Sequence, residues 1–248
     1  MYTSQISIYS NKAANGGGVY AYTSQLYFDV MRITDNMASQ EGGGLYTENC
    51  ETYLQPEGEV SRNTAGSDGG GVWSYMGGTN ATNITFAGNR AKANGGGFFG
   101  TQVTLWTVNT HWEGNYAGQD GGGLRMSGST LMMNRTESVN QHAGGKGGGM
   151  SLFDCTNILW NVSFVLNFAQ EGGAASVEEG KLSFCFYFLS ILFFLFPLFC
   201  SLHFVLILFT IRNEYPLEFD CCGMYGHLWE GRCFFGEREH LDHLQHLS

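Results

Sequence analysis

The sequence predicts an all-β fold, a right-handed parallel β-helix solenoid of about seven coils over residues 1–180, on three observations. Glycine triplets recur with first glycines at Gly16, Gly42, Gly69, Gly95, Gly121 and Gly147, and a Gly-Gly-Ala variant follows at Gly172. An asparagine stands ahead of each triplet, and an apolar or aromatic alternating run follows it. A period of about 26 residues, filled with short strands and lacking a helical pattern, belongs to stacked coils rather than to a helical repeat.

Each element of the repeat has a reason in stacking. The triplet opens the coil, because glycine permits positive φ and close backbone approach at a corner. The runs that follow, such as Val19-Tyr-Ala-Tyr22, Val72-Trp-Ser-Tyr75 and Leu124-Arg-Met126, carry the period-two signal of a strand. Their aromatics, Tyr20, Tyr22, Tyr46, Trp73, Tyr75, Phe98 and Phe99, alternate, so one of each pair is expected inside and the other exposed, where it could meet a sugar or a protein ligand.

The asparagines Asn11, Asn36, Asn63, Asn89, Asn115, Asn140 and Asn167 come next and are expected to form a structural ladder. A side-chain amide repeated at a bend can bond the coil above and the local backbone. A large apolar residue stands three positions before most of them (Ile33, Val60, Phe86, Trp112, Phe164), although in the sixth coil Val139 directly precedes Asn140. Alanine follows two positions later at Ala13, Ala38, Ala65, Ala91, Ala117 and Ala169, small enough for a tight interior. With about 4.8 Å per coil the rod is about 30 Å long.

The pairs Phe86-Ala-Gly-Asn89 with Gly95-Gly-Gly-Phe98, and Phe164-Val-Leu-Asn167 with Gly172-Gly-Ala-Ala175, resemble the repeat of the chlamydial polymorphic outer-membrane proteins. That family joins a Phe-x-x-Asn element to a Gly-Gly-Ala-Ile element on a β-helical passenger. The resemblance covers about residues 10–178 and implies a surface-exposed rod. The family's C-terminal β-barrel has no counterpart here, since alternating ten-residue strands are missing from the C-terminal part.

Composition narrows the function further. Thirty-six glycines, 3 prolines and 15% aromatics are foreign to collagen and to disordered chains. A net charge of -10 with 12 Lys and Arg leaves no basic surface for phosphates, so no nucleic acid is expected as partner. The 7 cysteines form no C-x-x-C pair. Cys50 and Cys155 share one coil position four coils apart, about 19 Å, too far for a disulfide.

No catalytic residue is assigned. The aspartates Asp29, Asp35, Asp68, Asp120 and Asp154 fall in different coils and positions, with no base repeated beside them. The residue before each triplet is polar: Asn15, Glu41, Asp68, Asn94, Asp120, Lys146 and Glu171. Stacking brings Glu41 and Asp68 about 5 Å apart, where calcium would relieve their repulsion; the plainer reading is an exposed glycine turn, and no other cofactor is implied. The function expected is non-catalytic adhesion or recognition at a cell surface or in secreted form. The alternative is a fragment of a β-helix polysaccharide lyase or hydrolase.

Residues 182–211 carry no charge and exceed the about twenty needed to cross a bilayer, so they read as a transmembrane helix between Lys181 and Arg212. The sequons at Asn80, Asn83, Asn134 and Asn161 all precede it and are candidates for glycosylation if the rod is extracellular or luminal. A second reading is open. The segment holds no Ala or Gly and is rich in residues with pyrimidine-rich codons, as a translated intron would be, in which case the rod would be secreted. Residues 212–248 read as an irregular tail, whose His240, His243 and His246 drift around a helix and poorly support a metal site.

Overall fold

The computed structural model describes residues 5–185 and the strand Phe209–Arg212. These residues form a parallel β-solenoid of about 7 turns with no helix. Every pairing between coils is parallel, and residues one period apart lie side by side, as in Val72↔Phe98 and Phe98↔Leu124.

A coil runs through three strand positions and a shorter fourth. In the first complete coil these are Val19–Tyr22, Gln25–Phe28, Met31–Thr34 and Met37–Ala38. In later coils neighbouring positions merge, as in Leu45–Leu54 and Thr130–Val139, so the first three positions are joined in one 17-stranded sheet. The fourth positions stack into a separate 6-stranded sheet.

Left-handed backbone makes the corners, and it recurs in rows. One row is Gly16, Gly42, Gly69, Gly95, Gly121, Gly147 and Gly172, the first glycines of the triplets. Another follows the third strand position, at Ser10, Asp35, Arg62, Gly88, Gly114, Asn140 and Leu166. Glycine is indispensable in the triplets for a second reason: a Cβ at Gly43 would lie 2.3 Å from the Gly70 carbonyl oxygen of the next coil. The slightly longer interval between Gly42 and Gly69 is absorbed at a corner. Leu54 pairs with Ala81 and Gly58 with Ile84. Gln55-Pro56-Glu57 separates the first members of these pairs, whereas Thr82-Asn83 alone separates the second, so the coil carries its extra residue there.

Inward side chains make continuous columns. One runs Ile33, Val60, Phe86, Trp112, Ser138, Phe164, with Phe86 and Trp112 stacked at 4.1 Å between ring centroids. Sizes compensate between coils: Ser138 lies between Trp112 and Phe164, and Gly58 lies between Met31 and Ile84. The dense interior requires this, since overfilling a packed core costs about as much as leaving a void.

The expected transmembrane helix over 182–211 meets strands at both described ends. Lys181–Cys185 continues the second strand position beneath Thr156–Val165, and Phe209–Arg212 pairs in parallel with Ala175–Glu178. Residues 186–208 and the histidines of the tail lie outside the described residues. Among the described residues no helix is long and apolar enough to cross a membrane.

Candidate functional site

The asparagine column is a hydrogen-bonded ladder. Asn36 donates from both its backbone N–H and its Nδ2 to Asn63 Oδ1, each at 3.0 Å, and Asn63 does the same to Asn89. Asn89 then donates in the same way to Asn115 Oδ1. The second Nδ2 hydrogen goes down to the preceding coil, to the carbonyls of Ile8, Ile33, Val60 and Phe86 from Asn36, Asn63, Asn89 and Asn115. Asn63, Asn89 and Asn115 are fully buried. Their amides are saturated, which leaves nothing to offer a ligand.

In the sixth coil the rung is Gln141, and this corrects the place given to Asn140. Asn115 donates to Gln141 Oε1 at 2.9 and 3.0 Å, and Gln141 N–H donates to Asn167 Oδ1 at 2.9 Å. Asn140 is exposed at the left-handed corner (φ 54), the position of Gly114 one coil earlier. Asparagine tolerates that conformation better than most side chains, which accounts for it there.

The polar row before the triplets is a second ladder, which the residue-type reading missed. Asp68 Oδ1 accepts from Asn94 N–H and Nδ2 at 2.8 and 3.0 Å, Asn94 Oδ1 accepts from Asp120 N–H, and Asp120 Oδ1 accepts from Lys146 N–H. Its signal in the sequence was the excess of Asn and Asp, whose short side chains reach the neighbouring backbone. Glu41 and Asp68 are neighbours in this row. Burial and the Asp68 charge push the Glu41 carboxyl above its ordinary range. Among the described residues no three His, Cys, Asp or Glu side chains group as a metal site.

The outward face of the first strand position carries aromatic rings in register. Tyr20, Tyr46, Trp73 and Phe99 follow one another through four coils, with centroids 4.8, 4.3 and 6.4 Å apart and rings within 10° of parallel. Tyr46 is only 7% exposed despite pointing outward, because its neighbours cover both its faces. Its hydroxyl donates to Glu48 Oε2 at 3.1 Å, and burial with that carboxylate drives its pKa up.

The expectation of one ring inside and one outside holds for Phe98 and Phe99, whereas Tyr20 and Tyr22 are both exposed. Residues two apart on a strand share a face, and Ala21 takes the inward place between them.

Of the sequon asparagines, Asn83 and Asn161 are exposed at left-handed corners of one row, while Asn80 and Asn134 are half-buried within strands. Cys50 and Cys155 are free and buried. Two cations are held in ion pairs: Arg62 forms a bidentate pair with Asp35 at 2.9 Å, and Lys146 Nζ meets Glu178. Comparison with protein-family models, curated protein sequences and solved structures returns no match for this chain.

Proposed function

We propose that this chain is a right-handed β-helix whose flat first-strand face is a non-catalytic recognition surface, displayed at a cell surface or in secreted form. The carrying observation is the outward ladder Tyr20, Tyr46, Trp73 and Phe99. Large rings placed outside a core that does not need them are favourable contact material, because they bury much area at little entropic cost on binding. The rings stack on one another, so they present edges and the grooves between coils rather than free faces.

The Phe-x-x-Asn and Gly-Gly-Ala elements support kinship with the polymorphic outer-membrane repeat, since both lie at the structural joints of each coil. A rod on the outer side of a membrane would also expose Asn83 and Asn161 to glycosylation. Attachment to a membrane would run through the apolar segment 182–211, of which residues 186–208 lie outside the described residues. Adhesion of the purified full chain to fixed cells and immobilised polysaccharides tests the reading. The double variant Trp73→Ser, Phe99→Ser is expected to lose about tenfold in binding while keeping its fold; undiminished adhesion with both rings gone would remove this face from consideration.

A further inference from the structure

The first strand position has two outward columns, and they differ. One is the ring ladder Tyr20, Tyr46, Trp73 and Phe99; the other, two residues further along each strand, runs Tyr22, Glu48, Tyr75, Thr101. In the second column a carboxylate stands where a ring would otherwise continue the series. Tyr22 and Tyr75 therefore lie two coils apart, about 10 Å, with Glu48 at the level between them.

Each member of this trio has a group to spare. Tyr22 is 58% exposed, and its ring touches no other ring among the described residues. Tyr75 is half-buried and meets the Trp73 ring at a tilt of 38°. Glu48 is held from one side, where the Tyr46 hydroxyl donates to its Oε2 at 3.1 Å. Its Oε1 has no hydrogen-bond partner, and the carboxylate has no cation, among the described residues. Tyr46 itself is fixed between the Tyr20 and Trp73 rings, so a rigid ladder positions the carboxylate.

The surroundings are short of positive charge. Between residue 13 and residue 89 the basic residues are Arg32 and Arg62, and both belong to the third strand position and the corner after it, where Arg62 is held by Asp35 and Glu59. On the face itself the first cation is Arg125, two coils beyond Trp73. Glu41 adds negative charge near Tyr46, and Asp68 lies beside Glu41.

A carboxylate between two tyrosine rings, in an acidic field, matches a guanidinium. That group is planar, stacks on aromatic faces and offers a carboxylate several N–H donors. Midway in a span of about 10 Å it lies about 5 Å from each ring, within the about 6 Å over which a ring attracts a cation. A lysine ammonium brings the charge without the plane. An uncharged or anionic ligand brings no counter-charge to Glu48.

We propose that Tyr22, Glu48 and Tyr75 clamp an arginine side chain of a partner polypeptide. This rests on the recognition function proposed above and names the chemistry of the partner. The test is binding of the full chain to immobilised hexapeptides of arginine, of lysine and of uncharged citrulline. Hexa-arginine is expected to bind at least about fivefold tighter than hexalysine, and hexacitrulline not measurably. Glu48→Gln should weaken the arginine peptide about tenfold and Tyr22→Ser about fivefold at unchanged melting temperature, whereas Glu51→Gln, one corner away, should change it by less than about twofold. Equal binding of arginine and lysine, full affinity in Glu48→Gln, or an equal loss in Glu51→Gln overturns the proposal, since each marks general charge attraction or none. Loss of cell adhesion in the Trp73, Phe99 variant without any preference for arginine leaves the recognition face standing and removes the clamp. Arginine-selective binding that Glu48→Gln weakens, in a chain whose adhesion survives the loss of both rings, upholds the clamp and removes the wider face.

Discussion

At the scale of single residues, the ladder asparagines hold more of the molecule together than their polarity suggests. Replacing Asn89 with alanine strands two buried donors, the Asn63 N–H and one Asn63 Nδ2 hydrogen, which both go to Asn89 Oδ1, and takes a second donor from the Val60 carbonyl. At about 1–3 kcal/mol for each orphaned group, Asn89→Ala should cost about 2–5 kcal/mol, read as a fall in the urea midpoint. Asn11→Ala, at the exposed start of the same column, should cost well under that. Glu41 gives a pH signature. Its folded pKa lies above the unfolded value near 4.5. Whatever it contributes is therefore present in acid and lost as pH rises through the folded pKa. Glu41→Gln should accordingly melt higher than wild type at pH 7, and the gap should close as pH falls below about 4. A constant gap across that range would show that charge is not the cause. Asp35, held low by the Arg62 hydrogen bond, behaves in the opposite sense, but the pair is exposed and contributes little.

At the scale of elements, corners govern the coil. Left-handed backbone is mildly unfavourable for most side chains, and the row that holds Gly88 and Gly114 also holds Leu166, 77% exposed with φ 54. Leu166→Gly relieves the strain and removes an exposed apolar group, against a modest rise in unfolded-chain entropy. The net expectation is a gain of about 0.5–1 kcal/mol, visible as a higher melting temperature. The same row explains why Asn140 misled the eye. Gln141 stands midway between Asn115 and Asn167, and Ala143 follows it by two, as alanine does in the other coils. The register was legible there; the residue type pointed one place too early.

At the scale of the whole molecule, a solenoid is close to one-dimensional, each coil touching its neighbours only, so stability is nearly a sum over coils and their interfaces. Deleting residues 69–94 joins Asp68 to Gly95 in register, sets Val60 against Trp112 and Asn63 against Asn115. The shortened chain should keep its far-ultraviolet β signature and melt cooperatively at a lower temperature. Deleting 69–81, half a period, removes the triplet and nearly all of the first two strand positions of one coil and leaves the coils on either side without a complete neighbour, so it should lower the melting temperature further than the whole-coil deletion.

The sequence by itself determined the period, the approximate number of coils, the strand after each glycine triplet and the inward apolar columns. These follow from short-range patterns that repeat, and repetition multiplies a weak local signal. Only the tertiary structure decided that Gln141 rather than Asn140 carries the rung, that Tyr20 and Tyr22 share the outer face, and that Asp68, Asn94 and Asp120 bond across coils. Each depends on what lies about 4.8 Å above and below a residue. In the chain those neighbours stand a whole period away, and the dihedral angles of the intervening corners settle which side chain faces which.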